Sequence, residues 1–452
     1  MSYARAMFTG VIDRSDVFQA TDVTSEAMKQ AIAEWFDLYY RRNADEKENT
    51  CQQIPYTIVR KLTKTVFAEY QATSQDSFAQ RVLDDLRGTQ YEAMQLTLIG
   101  GECLIKPIPA KDGFYFTVIP RNNIQVFGQD ITGTPTDIGT EEKSTFGKYF
   151  YTFLERRTVD ENGFLTIKNY LYRSTTESEL GTRTSLASHP RYALLEDEFT
   201  FPRPVGSIGL VRMKTPMVNS VDGSKGGISV YAAASELIHC INKNEAQMDG
   251  EFDRGESRIL ASKDLLKRKN GVNQLDSHLF TALDGDAEEI GINIFSPELR
   301  EKSFLARKQE YLRNIENVIG LKRGLLSEVE AAERTATEIT SSAGEYSLTI
   351  IDFQKLWEYT LKEIFRVCGV LGEMYKVAGA HTVDMKNVVV TWGNGVLYDE
   401  AKTNHELLSQ VQSGLLMPER YMGWYHNLPC ETEEERAAIR RDYMPDTLEA
   451  GE

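Results

Sequence analysis

Few residues in this sequence have the spacing that a catalytic or metal site requires. The chain holds six histidines, and His405-Glu406 lacks the second histidine of a His-Glu-x-x-His zinc motif. No Gly-x-Ser-x-Gly elbow is present. A Ser-His-Asp triad stays open, because such triads are recognised by geometry. We therefore expect a protein that is not an enzyme, with no catalytic residue, cofactor or metal site. A hydrolase or nuclease with an unrecognised site remains an alternative.

Two further stretches could be mistaken for ligand sites. Gly100-Gly101 is not part of a phosphate-binding loop, since neither the P-loop motif nor a Gly-x-Gly-x-x-Gly that opens a helix occurs. The acidic residues Asp284, Asp286, Glu288 and Glu289 suggest calcium binding. An EF-hand loop, however, needs glycine at its sixth position and glutamate at its twelfth, and this run has neither. A solvated loop is the simpler interpretation.

Composition indicates a folded, acidic protein. The 452 residues suggest about three domains, and 41% apolar and 26% charged residues are ordinary values. A net charge of −16 argues against a protein that wraps nucleic acid, but not against a conduit through which DNA passes. The five cysteines are far apart, which favours a reduced, cytosolic protein. We expect no signal peptide in residues 1–13 and no membrane span, since no run approaches ~20 apolar residues.

The N-terminal half predicts helices followed by strands. Helices are expected at Ser25 to Tyr40, Pro55 to Tyr70 and Ser77 to Leu98, from apolar residues at helical spacing. Strands are then expected at Cys103 to Lys106, Phe114 to Ile119, Ile124 to Phe127, Lys148 to Arg157, Leu165 to Arg173 and Glu198 to Phe201. Asp160-Glu161-Asn162-Gly163 is the expected hairpin turn. This order of elements indicates an α+β fold.

The middle of the chain predicts a charged helix and a small insertion. From about Ser229 to Glu256 a narrow apolar stripe lies among many charges, so this helix needs partners at its sides. In the insertion, strands are expected at Arg258 to Ala261, Leu279 to Leu283 and Ile290 to Phe295. A short basic turn or helix is expected at Lys263 to Lys269.

Residues 296–377 predict a helix, a tight loop and a long helix. Ser296-Pro297-Glu298 is typical of a helix start, and Gly320 and Gly324 break the helical pattern. Thr335-Ala336-Thr337-Glu338 is a capping box that opens the second helix. Unbroken to residue 377, that helix would span roughly 60 Å, with a kink expected near Ser341, Ser342 and Gly344. Further on, Asn387 to Trp392 predicts a strand that returns to the N-terminal sheet, and three helical pieces end the chain.

This order of elements resembles the portal proteins of tailed bacteriophages, of the siphovirus type. The string Arg334-Thr335-Ala336-Thr337-Glu338-Ile339 after a glycine-rich break is similar to the start of their spine helix. The resemblance implies an α+β portal fold with a helix/sheet wing, a two-helix stem, a small α/β clip, a tunnel loop and a long spine helix. The implied boundaries are 1–227 wing, 228–258 first stem helix, 259–296 clip, 297–320 second stem helix, 321–334 tunnel loop, 335–377 spine helix, 378–398 returning wing strand and 399–452 C-terminal helices forming a small crown.

The same resemblance implies a function. Portal proteins form a ring-shaped channel, a dodecamer at one capsid vertex, through which double-stranded DNA is packaged and ejected. They dock the large terminase and then the head-completion adaptor, contact the major capsid and scaffolding proteins, and reside in the virion after assembly in the host bacterial cytoplasm. Another phage structural component, such as a minor head or tail protein, is the main alternative.

Candidate site residues follow from charge and from position in this order. Predicted DNA-channel residues in the tunnel loop are Lys322, Arg323, Glu328, Glu330 and Arg334. Lys322 and Arg323 could instead cap the negative end of the preceding helix. The first stem helix is acidic and the second basic, which predicts subunit contacts by Glu245, Asp249, Arg307 and Arg313. Predicted partner-binding residues of the clip are Lys267, Arg268, Lys269 and Asn270.

Overall fold

The computed structural model describes residues 10–40, 51–254, 258–261, 266–269, 272–275, 292–295, 299–328, 336–392, 400–426, 428–430 and 432–443. The chain divides into two units. One comprises Met1–Lys64 with Thr73–Val388, and the other comprises Thr65–Ala72 with Val389–Glu452. Helices and strands occur in separate groups along the chain, which confirms the expected mixed class of α and β structure.

The described residues form the following elements, apart from short 3₁₀ turns. The helices are α1 (Ser15–Phe18), α2 (Glu26–Tyr40), α3 (Ile54–Val66), α4 (Ser77–Leu86), α5 (Thr89–Gly100), α6 (Ser235–Arg254), α7 (Glu301–Ile319), α8 (Ala336–Tyr375), α9 (Glu400–Gln412), α10 (Pro418–Tyr425) and α11 (Glu433–Tyr443). The strands are β1 (Gln71–Ser74), β2 (Glu102–Pro109), β3 (Phe114–Pro120), β4 (Ile124–Gln129), β5 (Pro135–Phe146), β6 (Tyr149–Val159), β7 (Leu165–Ser174), β8 (Thr182–Thr184), β9 (Glu198–Thr200), β10 (Val211–Lys214), β11 (Arg258–Ala261), β12 (Leu266–Lys269), β13 (Val272–Leu275), β14 (Ile292–Phe295) and β15 (Val388–Thr391).

The helix predicted over Ser77 to Leu98 is in fact two helices. The chain breaks at Gly88, whose φ of 94° suits glycine because it has no Cβ. Asp76 caps α4, since its Oδ1 accepts hydrogen bonds from the N–H groups of Phe78 and Ala79 at 2.9 and 3.3 Å. The break lets α4 and α5 pack separately against the sheet that contains β2 and β3.

Two antiparallel sheets make up most of the strand structure. One has the order β10-β2-β3, and the other has the order β4-β5-β6-β7-β8 with β9 beside β7. The predicted hairpin turn joins β6 to β7, where the Gly163 N–H donates to the Asp160 carbonyl at 3.0 Å. The sequence pattern did not predict β5, because its twelve residues are mostly polar. Its buried Glu141 is paired with Arg14 at 2.9 Å, which lets a polar strand lie inside the sheet.

The strand predicted near residue 390 does not return to either large sheet. β15 pairs with β1 in a separate two-stranded sheet. The insertion at 259–296 also differs from its prediction. β11 pairs with β14, and β12 pairs with β13 in a hairpin, so Lys263 to Lys269 is not a basic turn or helix where it is described. The described residues of the insertion are therefore extended rather than α/β, and Leu279 to Leu283 lies outside them.

The long helix α8 is the main packing element of the first unit. It is 40 residues long and continuous through Ser341, Ser342 and Gly344, while Thr335 of the predicted capping box lies outside the described residues. Trp357 and Phe365 are fully buried on one side of it. The helix packs on β10 and β2, so its apolar face covers the three-stranded sheet.

The second unit carries the predicted C-terminal helices. In it, α10 contacts both α9 and α11, and Arg440 of α11 pairs with Glu419 of α10 at 2.7 Å. The rings of Tyr70 and Trp392 in the same unit are tilted by 43° to each other, with their centroids 4.8 Å apart. Across both units, no helix in the described part of the chain is long and apolar enough to span a bilayer.

His381 ties the segment after α8 to the start of α4. Its Nε2 lies 2.6 Å from Asp76 Oδ2, and its Nδ1 lies 2.9 Å from the Gly379 carbonyl oxygen. A carbonyl and a carboxylate only accept hydrogen bonds, so both ring nitrogens donate when the imidazole is protonated. The Gly379 carbonyl and the Asp76 carboxylate accordingly raise the pKa of His381 above its ordinary value of 6.5.

This pair predicts a pH-dependent contribution to stability. The contribution is complete below the unfolded pKa of about 6.5 and is lost as the pH rises through the higher pKa of the folded state. His381→Gln should therefore lower the Tm at about pH 6 and have no effect at about pH 9. His405→Gln, on the exposed surface of α9, serves as the control. An equal Tm difference between wild type and His381→Gln at both pH values would contradict the prediction.

Candidate functional site

The helix pair α6 and α7 forms the frame of the candidate site. Glu251 near the end of α6 meets Arg300 at the start of α7, and Asn244 of α6 donates to the Phe304 carbonyl. Numbering rises along α6 as it falls along α7, so the helices are antiparallel. The two helices pack side by side within one chain. The strands β11–β14 lie in the chain between the C-terminal end of α6 and the N-terminal end of α7.

Both helices are shorter than predicted. The first was expected from about residue 228, but the Val230 N–H and the Ser229 hydroxyl both donate to the Leu98 carbonyl at 3.0 Å. These bonds hold the chain out of helical conformation, and α6 begins at Ser235. The second begins at Glu301, preceded by Arg300 without a side-chain cap bond. The proposed start at Ser296-Pro297-Glu298 lies outside the described residues.

Ion pairs join the two helices. Arg300 binds Glu251 at 2.6 Å, and Lys308 binds Glu245 at 3.0 Å. Glu245, predicted as a subunit-contact residue, is thus buried and engaged within its own chain. Asp249 is exposed.

The two arginines predicted as subunit contacts interact with their own helix. Arg307 donates to the Tyr311 hydroxyl at 2.9 Å, and Arg313 lies 3.9 Å from Glu310. Neither interaction crosses to α6. Complementary charge between the helices is therefore partly satisfied inside one chain. Arg307 is exposed, and Arg313 is half-buried.

The end of α7 is capped by its own backbone. Gly320, with φ of 74°, donates to the Asn317 carbonyl, and the Leu321 N–H donates to the Glu316 carbonyl at 2.8 Å. This pattern is a Schellman motif, with the buried Leu321 supplying its usual apolar contact. Backbone N–H groups thus satisfy the Glu316 and Asn317 carbonyls at this helix end without Lys322 or Arg323.

The loop after α7 is folded around one buried carboxylate. Glu316 is 1% exposed. Its oxygens accept four hydrogen bonds: from the N–H groups of Gly324 (3.2 Å), Leu326 (2.5 Å) and Ser327 (2.9 Å), and from the Ser327 hydroxyl (2.7 Å). The segment 320–328 is therefore an ordered turn, held by these bonds against α7.

Neighbouring elements add further anchors to this loop. Lys61 of α3 donates to the Leu325 carbonyl. Gln309 of α7 accepts from the Glu328 N–H at 2.8 Å, and Thr349 of α8 donates to the Gly320 carbonyl at 3.3 Å. The loop is thus held by three helices at once.

The predicted channel residues have different places. Lys322, Arg323 and Glu328 are exposed on this ordered turn, whereas Glu330 and Arg334 lie outside the described residues. Sequence reasoning missed Glu316 as the residue that organises the loop. A signal existed: Glu316 lies four residues after Leu312 and three before Ile319, so it is an acidic residue on the apolar face of α7.

The predicted clip residues lie on a hairpin strand. Lys267, Arg268 and Lys269 belong to β12, where Lys267 is opposite Gln274 and Arg268 is opposite Asn273. Asn270 lies outside the described residues.

A cleft elsewhere is a weaker candidate site. It has a volume of about 420 Å³ and is lined by α1 and the six-stranded sheet. Two of its three cations are already paired, Arg156 with Asp137 at 2.7 Å and Lys168 with Glu198 at 3.2 Å. Little uncompensated charge is left to attract an anion. In the described parts of both units, no group of three or more His, Cys, Asp or Glu side chains could hold a metal ion.

No protein-family model matches the chain, and a search of curated proteins gave no match. The geometry of the helix pair and the loop is therefore the basis for assigning a function.

Proposed function

We propose that this chain is the subunit of a ring-shaped DNA channel, a phage portal protein without chemistry of its own. The observation that carries the proposal is the antiparallel pair α6 and α7 with a strand-containing insertion at its tip, followed directly by an anchored loop and the 40-residue α8. In this proposal α6 and α7 are the stem, residues 259–296 are the clip, and α8 is the spine helix.

The charges of the chain support a conduit rather than a DNA-wrapping protein. Twelve copies with a net charge of −16 each would carry roughly −190 charges, a field that repels DNA from the channel wall. The exposed Lys322 and Arg323 on the ordered turn are then local basic points that touch phosphates weakly and without sequence preference.

The remaining roles follow from this assignment. The clip, with Lys267, Arg268 and Lys269 on β12, binds the large terminase during packaging and the head-completion adaptor afterwards. The wing contacts the major capsid and scaffolding proteins. The ring assembles in the host bacterial cytoplasm and stays at one vertex of the virion.

Imaging the purified protein tests the proposal. Electron microscopy should reveal closed rings of about twelve subunits with a central channel. Mass photometry of the same sample should give one dominant species of the corresponding mass. A stable monomer over the whole range of protein concentrations, with metal-dependent cleavage of DNA, would contradict the proposal and favour a nuclease.

Removing the two loop cations separates DNA contact from helix capping. With Lys322 and Arg323 both changed to alanine, rings should form normally and the Tm should stay within about 1 °C, since α7 is capped by backbone N–H groups. DNA retention or packaging should change, because the local phosphate contacts are lost. Wild-type retention in rings of lowered Tm would contradict the contact and favour the capping role. Lys302→Ala, exposed at the far end of α7, is the matched control.

A further inference from the structure

Glu316 is a buried carboxylate whose only described partners are groups of the loop that follows its helix. Its four hydrogen bonds reach residues eight to eleven positions further along the chain. Among the described residues no lysine or arginine forms an ion pair with it. Burying a carboxylate is costly unless hydrogen bonds compensate the lost hydration, and here loop N–H groups supply that compensation. The carboxylate and the loop conformation therefore depend on each other.

The same bonds fix the place of the two cations. The Leu325 N–H donates to the Lys322 carbonyl at 3.0 Å, which closes a turn over residues 322–325. Gly324 at the third position has φ of 87°, as such a turn requires. Lys322 and Arg323 are the first two residues of this turn and both are exposed. Their backbone positions are set relative to α7 by Glu316 on one side and by Gln309 on the other.

We propose that Glu316 is a positioning residue, which holds residues 322–327 against α7 so that Lys322 and Arg323 are presented together to the phosphodiester backbone of DNA. This inference rests on the proposed function for the identity of the ligand. The hydrogen bonding of the loop by Glu316 does not rest on the proposed function, so it can be tested separately.

Hydrogen exchange tests the hold without DNA. In Glu316→Gln, the amide group turns an N–H₂ donor toward loop N–H groups, so part of the network is lost. The exchange of the Gly324, Leu326 and Ser327 amides should speed up about tenfold or more, with little change in α8. Glu310→Gln, exposed on the same helix, is the matched control and should leave these amides unchanged. Ser327→Ala removes one bond only and should give a smaller change in the same direction, which covers the case that Glu316→Gln does not fold.

A double-mutant cycle tests the positioning of the cations. The probe is a double-stranded DNA oligonucleotide of mixed sequence, titrated at low salt onto the assembled protein. If Glu316 acts through the two cations, Glu316→Gln weakens binding in the wild-type background and has no further effect when Lys322 and Arg323 are already alanine. A merely structural role gives additive effects, and additivity would overturn the proposal.

The two arms distinguish the ways in which these ideas can fail. Unchanged exchange at Gly324, Leu326 and Ser327 in Glu316→Gln overturns the inference, while the DNA contact of Lys322 and Arg323 can still stand. A second outcome is faster amide exchange in Glu316→Gln together with DNA binding that is unchanged when Lys322 and Arg323 are alanine. That outcome overturns the DNA-binding role of the loop and removes this part of the support for the proposed function.

Discussion

Replacing Glu155 by alanine is expected to lower the free energy of unfolding of the first unit by about 3–5 kcal/mol. Glu155 is a buried residue of β6, and its two oxygens bind Lys106 Nζ at 2.9 Å and Arg157 Nε at 2.7 Å. Alanine leaves both cations buried without this partner. Removing one member of a buried ionic group costs far more than the group contributes as a whole, because the remaining charges stay desolvated.

The position of this group explains the size of the effect. Lys106 lies on β2 of the three-stranded sheet, whereas Glu155 and Arg157 lie on β6 of the six-stranded sheet, so the group joins the two sheets. Arg157 also donates to the Ile208 carbonyl at 2.9 Å. Burial by itself raises the pKa of Glu155, but Arg157 and Lys106 outweigh burial and lower the pKa to about 2.

A depressed carboxylate pKa sets the direction of the pH effect. The contribution of Glu155 is present above its unfolded pKa, near 4.5, and is lost as the pH falls toward about 2. The stability difference between wild type and Glu155→Ala, measured by denaturant unfolding, should therefore shrink in acid. Glu198→Ala breaks the exposed pair with Lys168 and should cost less than about 1 kcal/mol.

An apolar replacement of the whole group gives a second control. Lys106→Met, Glu155→Leu and Arg157→Met together remove these three charges, so no cation of the group stays buried alone, and Glu142 keeps its pair with Arg191. This triple variant should regain much of the stability that Glu155→Ala loses. A Glu155→Ala protein within about 1 kcal/mol of wild type would show that water or Glu142 compensates the two cations, and the prediction would be wrong.

The sequence predicted those helices and strands in which the residue types follow one regular spacing along the chain. The apolar residues of α8 keep a helical spacing over 40 residues, and β6 and β7 are rich in β-branched and aromatic residues with a clear turn between them. Each of these patterns lies within a single helix or strand, so it can be recognised without knowing which other elements pack against it. The same reasoning failed for β5, where Thr140 and Glu141 are buried because the Glu155 carbonyl and Arg14 satisfy their polar groups.

The sequence predicted where the loop of the candidate site lies in the chain, but it did not predict the contacts that hold the loop. The glycines Gly320 and Gly324 correctly indicated a break, and both have positive φ. Their presence says where a chain can turn and nothing about what holds the turn. The turn is held by hydrogen bonds from Lys61 and Thr349 and to Glu316. Lys61 and Thr349 are distant from the loop in sequence, and Glu316 belongs to the preceding helix. Tertiary contacts of this kind leave no periodic trace in the sequence.

Charge reversal on the outside of the helix pair should prevent ring assembly. The change is Arg307→Glu with Arg313→Glu. At about 100° per residue, Arg307 lies about 100° to one side of Lys308 and Arg313 about 140° to the other. Since Lys308 faces Glu245 of α6, the two arginines lie on the two flanks of the pair. In a closed ring each flank meets a different neighbouring subunit.

The expected effect grows with the number of subunits. An exposed ion pair contributes only ~0.2–1 kcal/mol, but a ring repeats every pair at every interface. The described bonds of Arg307 and Arg313 join them to Tyr311 and Glu310 of their own helix and not to α6, so the folded subunit should keep its Tm within about 2 °C. Native mass spectrometry should then find folded monomers or small oligomers in place of rings.

A third reversal on the same helix distinguishes assembly from folding. In the wild type, Lys308 Nζ lies 3.0 Å from Oε1 of the buried Glu245. Lys308→Glu replaces this ammonium group by a second carboxylate, so like charges repel inside the chain. This variant should lose subunit stability first and rings only as a consequence, with a Tm well below that of the Arg307 and Arg313 variant. If the Arg307 and Arg313 variant instead forms normal rings, the flanks of α7 carry no subunit contact, and the charge excess of this helix serves only its pairing with α6.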